Sequence, residues 1–376
     1  MKILIAPDKF KGTLSAEEVC ELIAKALRQL DPNCSLDSIP LADGGEGTAK
    51  LLTAQNRGQW ISCEASDPLF RKIQTGYGIS GDGSTAYMEM AAASGLSLLT
   101  PAERNPMKTT SLGTGELIAD ALNHNVRKIV LAIGGSATND AGLGMAAALG
   151  AEFFDAQQQL LKPIGENLTQ LHSMNLTKLR TRLQSVSVTV LCDVNNPLVG
   201  PQGAAYVFAP QKGADAKTVE FLNHGLLNFE SVVKQELNLS VNFPGAGAAG
   251  GLGAGAKAFL QATLIPGIDY VLNTFQVANR VEQADLVITG EGKLDAQTLS
   301  GKVVQGVVKL ARQFRKPVVA IVGKNELNES ELTSLGISKV ISLVNPTTSS
   351  TQAMAHARSF LMQRIRDELH LDDFRK

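Results

Sequence analysis

Short apolar runs alternate with amphipathic helical segments along most of the chain, and this alternation restricts its fold more than any other feature. Residues 3–6 and 318–322 have the length and composition of buried strands. Residues 15–30 have a helical pattern of apolar positions, and Ser15 with Glu18 forms a capping box at its start. Strands separated by helices indicate βαβ units and a parallel sheet, so the chain is predicted to have an α/β fold.

The length of the chain favours two domains. With 376 residues it exceeds the size at which a single hydrophobic core usually stops growing. The alternation breaks after residue 67, where residues 73–90 have the pattern of a β-hairpin, and it returns near residue 285. We predict a discontinuous Rossmann-like α/β domain with a parallel sheet, built from residues 1–67 and 285–376, with a second α/β domain, 68–284, inserted into it.

Charge and cysteine usage narrow the class of protein. The formal net charge is −1 and the basic residues are scattered, so no surface field favours nucleic acid or an anionic membrane. No apolar run approaches the roughly 18 residues that a membrane span needs. The four cysteines lack metal-site spacing, and residues 2–6 are too short for a signal-peptide core. We expect a cytoplasmic enzyme with small-molecule partners, and the sequence leaves a homo-oligomer open.

Polar, glycine-rich loops follow five of the predicted strands. Open α/β sheets bind their ligands at the carboxyl ends of the strands, so these loops are the candidates for an active site. They are residues 8–12, 134–140, 193–196, 290–295 and 323–324.

The loop 134–140 has the composition of a phosphate-binding turn. Gly134 and Gly135 permit close approach of a ligand to the backbone, while Ser136, Thr138 and Asn139 supply neutral hydrogen-bonding groups before a predicted helix. The alternative is a tight turn in which Thr138 or Asn139 caps that helix. We predict that this loop binds the phosphate groups of a ligand.

The segment 289–302 interleaves glycines with charged residues. Gly290 and Gly292 flank Glu291, and Lys293 and Asp295 follow. Phosphoryl transfer needs carboxylates that hold Mg²⁺ and cations that neutralise developing charge. We predict that the two glycines contact the nucleotide, that Glu291 or Asp295 holds Mg²⁺, and that Lys293 neutralises charge. The alternative is a capped turn with a solvated lysine.

Three other loops supply further charged candidates. Asp8 and Asp43 are the candidates to orient a hydroxyl group and accept its proton. Lys11 is an alternative to Lys293 as the neutralising cation, and Asp193 is a further carboxylate for Mg²⁺. The alternative for Asp43, which precedes Gly44, is a structural role in an Asx turn.

Residues 245–250 satisfy the pattern GxGxxG, which keeps an NAD-dependent oxidoreductase open as an alternative function. The preceding residues, 239–244, are short, polar and interrupted by Pro244, so they are a poor strand. No GxxxxGK[ST] motif is present, nor are the HRD and DFG motifs of protein kinases. A third alternative is a non-catalytic ligand-binding regulator, although a pure binder would not need so many carboxylates and lysines.

Several of these segments resemble type I glycerate kinases, and they follow one another in the family's order over nearly the whole chain. The matching segments are residues 6–15, 41–48, 133–140, 192–198 and 289–302. The resemblance implies ATP-dependent phosphorylation of D-glycerate with Mg²⁺ on a two-domain α/β scaffold. It also implies 2-phosphoglycerate as the product, with 3-phosphoglycerate as the alternative.

Overall fold

The computed structural model describes residues 1–295 and 302–375, which form a mixed α/β structure. Its strands are β1 (Lys2–Ile5), β2 (Ser35–Ser38), β3 (Gln59–Ser66), β4 (Lys72–Ile79), β5 (Thr85–Glu89), β6 (Lys128–Ala132), β7 (Glu152–Phe154), β8 (Ser173–Asn175), β9 (Ser187–Leu191), β10 (Thr263–Ile265), β11 (Leu286–Leu294), β12 (Val318–Asn325) and β13 (Lys339–Ser342). The predicted α/β class is therefore confirmed.

Helices lie between most of these strands. They are α1 (Ala16–Leu30), α2 (Thr48–Gln55), α3 (Ala91–Ser94), α4 (Leu112–Asn123), α5 (Leu143–Ala148), α6 (Thr177–Leu183), α7 (Ala204–Phe208), α8 (Ala216–Leu237), α9 (Ala248–Leu260), α10 (Gly267–Thr274), α11 (Val277–Gln283), α12 (Val303–Gln313), α13 (Glu329–Leu335), α14 (Ser350–Ala355) and α15 (Ala357–Glu368). Within the described ranges, none of these helices is both long and apolar enough to cross a bilayer.

The chain divides into two compact units, each with its own buried apolar cluster. The first unit comprises Met1–Asp43 and Pro266–Lys376, and the second comprises Gly44–Ile265. The domain boundaries expected from the sequence, after residues 67 and 284, stay a prediction.

The first unit contains a five-stranded parallel sheet in the order β13-β12-β11-β1-β2. Counted within this sheet alone, the order is the 2-1-3-4-5 of a common doubly wound fold. From β1 the chain proceeds to β2 on one side, and from β11 it proceeds to β12 on the other. The neighbouring strands β1 and β11 therefore form a topological switch point, where such sheets bind ligands.

Helix α1 packs its apolar face onto this sheet. Val19, Ile23 and Leu27 are buried in the cluster of the first unit. At its start the Ser15 hydroxyl accepts the Glu18 N–H at 3.2 Å, and the Glu18 carboxylate accepts the Ser15 N–H at 2.9 Å. The predicted capping box is therefore confirmed, and it satisfies two backbone donors that the helix itself leaves unpaired.

The second unit contains a six-stranded mixed sheet in the order β10-β9-β6-β5-β4-β3. Strands β3, β4 and β5 are antiparallel neighbours, whereas β5, β6, β9 and β10 run parallel. The predicted hairpin is the β4–β5 pair, whose turn is closed by a hydrogen bond from the Gly83 N–H to the Ser80 carbonyl at 2.8 Å. The parallel part places the loops after β5, β6 and β9 at one edge of the sheet.

Replacing the cap of α1 should weaken the first unit. We expect Ser15→Ala to lower the free energy of unfolding by about 1 kcal/mol, because the Glu18 N–H loses its acceptor. Urea unfolding followed by far-UV circular dichroism measures the change. Ser35→Ala, at an exposed position of β2, is the matched control and should stay within about 0.5 kcal/mol of the parent. Equal losses in the two variants would contradict the role of the capping box.

Candidate active site

A pocket of about 330 Å³ opens at the carboxyl ends of the strands of the first unit. Its walls come from the loops after β1 and β2, the ends of β11 and β12, the residue before α12, the residues after β13, α14 and the start of α15. We call it the switch-point pocket, because the chain leaves the neighbouring strands β1 and β11 towards opposite sides of the sheet at this point. Its charged lining residues are Asp8, Lys9, Lys11, Asp43, Glu291, Lys293, Lys302 and Lys324. The predicted candidates of the first unit are therefore brought together, except Gly290 and Asp295.

Backbone pairing fixes the position of Asp8 beside the end of β11. The Asp8 N–H donates to the Gly290 carbonyl at 2.8 Å, which continues the parallel pairing beyond β1. Gly292, two residues on, passes close to the loop after β1. A Cβ atom at Gly292 would lie 3.1 Å from the backbone nitrogen of Lys11, so a side chain at this position would crowd the loop after β1. Gly290 packs closely against β12, since a Cβ there would lie 2.0 Å from the carbonyl oxygen of Ile321, and its contact with a nucleotide stays a prediction.

The Asp8 carboxyl group lies in a poorly hydrated and negatively charged part of the pocket. Asp8 as a whole is 8% exposed. Burial raises the pKa of Asp8 to about 7, and the negative charges of Asp43 and Glu291 act in the same direction. Lys9 opposes this shift, since its N–H donates to Asp8 Oδ1 at 2.7 Å and its ammonium group is nearby. Asp8 therefore has the proton affinity of a general base that works near neutral pH.

The lysines at the rim form ion pairs with carboxylates at the ends of β11 and β12. Lys293 Nζ lies 2.8 Å from Glu326 Oε2 and 3.2 Å from Asp295 Oδ2. Lys324 also contacts Glu326, at 2.7 Å, and Lys302 lies 4.0 Å from Asp295. Hydrogen bonds to Glu326 and Asp295 raise the pKa of Lys293, so this lysine remains a cation across the physiological range. Asp295 therefore lies within ion-pair distance of both Lys293 and Lys302 at the rim.

The carboxylates of the pocket suit a magnesium ion that arrives with a phosphorylated ligand. Across residues 1–295 and 302–375, no group of three or more His, Cys, Asp and Glu side chains is arranged to hold a metal. Mg²⁺ usually keeps several waters and binds through one or two carboxylates plus substrate phosphates, so it needs no such cage. The mutual repulsion at Asp8, Asp43 and Glu291 is what a cation would relieve. Asp193 belongs to the second unit, where it is exposed after β9.

In the second unit, the loop 134–140 follows β6 and is only partly accessible. Gly134 and Gly135 are exposed, whereas the side chains of Ser136, Thr138 and Asn139 face the interior. Thr138 and Asn139 are 0% exposed, and their side-chain polar atoms have no hydrogen-bond partner among the described residues. A ligand at this loop would therefore meet the backbone of the two glycines first.

The helix after this loop is already capped from within the protein. The buried Asp140 carboxylate accepts the Gly142 and Gly144 N–H groups at 3.2 Å, and the Ser111 N–H and hydroxyl at 2.7 Å. Burial raises the pKa of Asp140, and these donors oppose the shift. The N–H groups of Gly142 and Gly144 at the start of α5 are consequently occupied by an acceptor from the protein. The phosphate-binding role of the loop stays a prediction.

Lys212 is a buried residue that contacts the loop 134–140 from another segment of the chain, and the sequence did not indicate its burial. It is 1% exposed, and its Nζ donates to Ser136 Oγ at 2.8 Å and to the Thr138 carbonyl at 2.7 Å. Burial lowers the pKa of Lys212 to about 7, and the Asp140 charge opposes the shift. Because Lys212 lies in a polar turn between Pro210 and Gly213, its sequence context is that of a solvated lysine.

The GxGxxG stretch lacks the context of a dinucleotide site. Residues 239–247 form no strand, and the stretch leads into α9 through Ala249, Gly250 and Gly251, whose φ angles are 54°, 69° and 88°. A Cβ at Gly250 would lie 2.0 Å from the Thr138 carbonyl oxygen. The glycines therefore allow this segment to pack against the loop after β6, and the strand that a dinucleotide fingerprint requires is missing from these residues.

Removing the charge of Asp43 should make Asp8 more acidic. We expect Asp43→Asn to lower the pKa of Asp8 from about 7, because the negative charge of Asp43 is the second cause of its elevation after burial. Carboxyl ¹³C NMR of aspartate-labelled, metal-free protein measures this value, with Asp8→Asn identifying the resonance. Asp269→Asn, outside the pocket, is the control. A pKa for Asp8 that stays the same in Asp43→Asn would contradict the coupling.

The burial of Lys212 should make the stability of the protein depend on pH. The folded protein releases this proton near pH 7 and the unfolded chain near 10.5, so the unfolded state binds more protons between these values. The free energy of unfolding of the parent should therefore rise with pH by more than that of Lys212→Met does. The difference should be at most about 1.4 kcal/mol per pH unit. Urea unfolding at pH 7 and pH 9 measures the difference, and Lys217→Met, at an exposed position of α8, is the control. Parallel pH profiles for the parent and Lys212→Met would contradict this expectation.

The comparisons with known proteins agree with the family that the motifs indicated. Residues 3–370 match the model of the glycerate kinase family. The chain is 44% identical to the glycerate 2-kinase of Escherichia coli K12, over 92% of this chain and 91% of that protein. It is 43% identical to the glycerate kinase of Halalkalibacterium halodurans, over 97% of this chain and 96% of that protein.

A solved structure gives the same result at the level of the fold. It is the crystal structure of a protein assigned as glycerate kinase 2 from Salmonella typhimurium LT2, with a TM-score of 0.87 and 42% sequence identity. The match covers 98% of this chain and 96% of that chain. The chain therefore belongs to the glycerate kinase family and is a phosphotransferase with an alcohol group as acceptor.

Proposed function

We propose that the chain transfers the γ-phosphoryl group of ATP to the 2-hydroxyl group of D-glycerate, with 2-phosphoglycerate as the product. Family membership supports glycerate as the acceptor, and the name of the relative from E. coli supports the 2-position. The observation that carries the proposal is the switch-point pocket, in which three carboxylates and five lysines line one cavity. Transfer to the 3-hydroxyl group is the alternative that this chemistry leaves open.

The lysines of the pocket supply the positive charge that a triphosphate requires. Phosphoryl transfer proceeds through a loose transition state, so catalysis depends on positioning and on electrostatic stabilisation. Lys11 and Lys293 are the proposed neutralising residues for the transferred group. Lys293 is held towards the ends of β11 and β12 by Glu326 and Asp295, which limits the freedom of its side chain.

Glu291 is the proposed ligand of Mg²⁺, because it lines the pocket and is 4% exposed. When bound with the nucleotide, the ion neutralises negative charge on the phosphates. Asp295 and Asp193 stay predicted ligands, the first paired with lysines and the second in the other unit.

Asp8 is the proposed general base. It would accept a hydrogen bond from the glycerate hydroxyl group and orient that oxygen for attack on the γ-phosphorus. It would take the hydroxyl proton as the new oxygen–phosphorus bond forms and the bond from the γ-phosphorus to the bridging oxygen breaks, so that ADP leaves. Its burial and the neighbouring charge of Asp43 match the proton affinity to neutral pH. Asp43 is thus proposed as a positioning residue that acts through Asp8.

The loop 134–140 stays a predicted phosphate site. The exposed backbone of Gly134 and Gly135 is the part that a ligand can reach. Ser136 and Thr138 are proposed to act by shaping this backbone, since Lys212 binds both from the interior. Asn139 is buried beside them and stays in the predicted set.

The experiment is a coupled ADP-release assay with ATP, Mg²⁺ and D-glycerate, in which ³¹P NMR identifies the position of the product phosphate. ADP release that depends on D-glycerate, with a 2-phosphoglycerate signal, is expected. A reaction without glycerate measures background hydrolysis. A 3-phosphoglycerate signal would contradict the 2-position, and no release above background from folded protein would contradict glycerate as the acceptor.

A further inference from the structure

The switch-point pocket has a charged end and an apolar end. The charged end contains Asp8 and Glu291 at the centre of the sheet, together with the lysines. The apolar end lies towards the edge strand β13, and its lining residues follow β13 or lie on α14 and at the start of α15: Leu343, Val344, Ala353, Met354 and Ala357. One cavity therefore presents two different chemistries along the carboxyl edge of one sheet.

The apolar end does not match the chemistry of a small hydroxy acid. Glycerate carries a carboxylate and two hydroxyl groups and has almost no apolar surface to bury. A cavity of about 330 Å³ also offers far more room than such a three-carbon molecule occupies. Ligand pockets use apolar walls to bury apolar parts of a ligand, and polar groups to orient it. The part of the proposed reactants that meets this description is the purine ring of ATP.

We propose that the apolar end of the switch-point pocket binds the adenine ring of the nucleotide. The inference rests on the proposed use of ATP and extends it to a base-binding subsite. With the base near β13, the phosphates lie towards Lys324 and Lys9, and the transferred group lies towards Asp8. A nucleotide that spans the carboxyl edge of the strands matches the way in which doubly wound sheets bind such ligands.

Met354 is the side chain that forms the exposed wall of this subsite. It lies on α14, is 55% exposed, and its Cε would lie 3.7 Å from a Cβ at Gly12 on the loop after β1. The other apolar lining residues, by contrast, are buried or partly buried. A flexible thioether makes favourable contacts with an aromatic ring, so a bound purine would cover the exposed methyl group.

The first test observes Met354 directly. In protein labelled with methyl-¹³C methionine, MgADP should shift the Met354 methyl resonance upfield through the ring current of adenine, and Met354→Leu identifies the resonance. Magnesium tripolyphosphate, which lacks the base, should leave it unshifted. Met362, on α15 and outside the pocket lining, is the reference methyl group. MgADP that binds without moving the Met354 signal, or an equal shift with tripolyphosphate, overturns the subsite, as does a protein that binds no MgADP.

The second test measures affinity. We expect Met354→Asp to raise the dissociation constant of MgADP by roughly tenfold or more, because a charge replaces apolar contact with the base. Thr351→Asp places the same charge on the exposed surface of α14, outside the pocket lining, and should bind MgADP like the parent. Equal affinities in the parent and Met354→Asp overturn the subsite. If MgADP binds as expected but no ADP is released with D-glycerate, the subsite stands and the proposed acceptor is wrong.

Discussion

The parallel pairing of β1 with β11 is the interaction on which the candidate active site depends. Ile3 and Ile5 pair with Leu286 and Ile288, and the Thr289 hydroxyl group donates to the Ala6 carbonyl at 2.9 Å, across 283 positions of sequence. The two strands continue to opposite sides of the sheet, so a crevice opens at their carboxyl ends. The pocket cannot form until both ends of the chain have folded together, and contacts so distant in sequence form slowly.

The same pairing brings carboxylates together at the ends of the strands, where their burial and mutual repulsion do not stabilise the fold. Asp8 and Glu291 are buried beside Asp43, and burial together with repulsion raises the pKa of Asp8. Lys212, which is buried beneath the loop after β6, is likewise in unfavourable surroundings for its charge, since burial lowers its pKa. Ionisable groups in unfavourable surroundings are typical of functional sites, because catalysis needs shifted proton affinities and a poorly hydrated, preorganised field. A charged substrate and its cation would relieve this cost.

The sequence predicted the fold class correctly, and several of its candidate site residues line one pocket, because strands and strand-end loops follow from local patterns. Apolar periodicity located the strands, Ser15 and Glu18 located a helix start, and the loops at strand ends located Asp8 and Glu291. It could not predict which polar residues face inwards, since that depends on packing between distant segments. Thr138 resembles a phosphate ligand by pattern but is buried, and Lys212 resembles a solvated lysine but is enclosed. The ion pair of Lys293 with Glu326 likewise needs the register of β11 against β12.

The turnover of Asp8→Asn tests the account most directly, because the variant keeps the shape of the side chain and removes its ability to accept a proton. We predict that its kcat falls by roughly 10²-fold or more, while MgADP still binds. Asp269→Asn, an exposed position of α10 outside the pocket lining, should keep the turnover of the parent. Turnover of Asp8→Asn close to that of the parent would contradict the claim that the carboxylate at the β1–β11 switch point is the catalytic base.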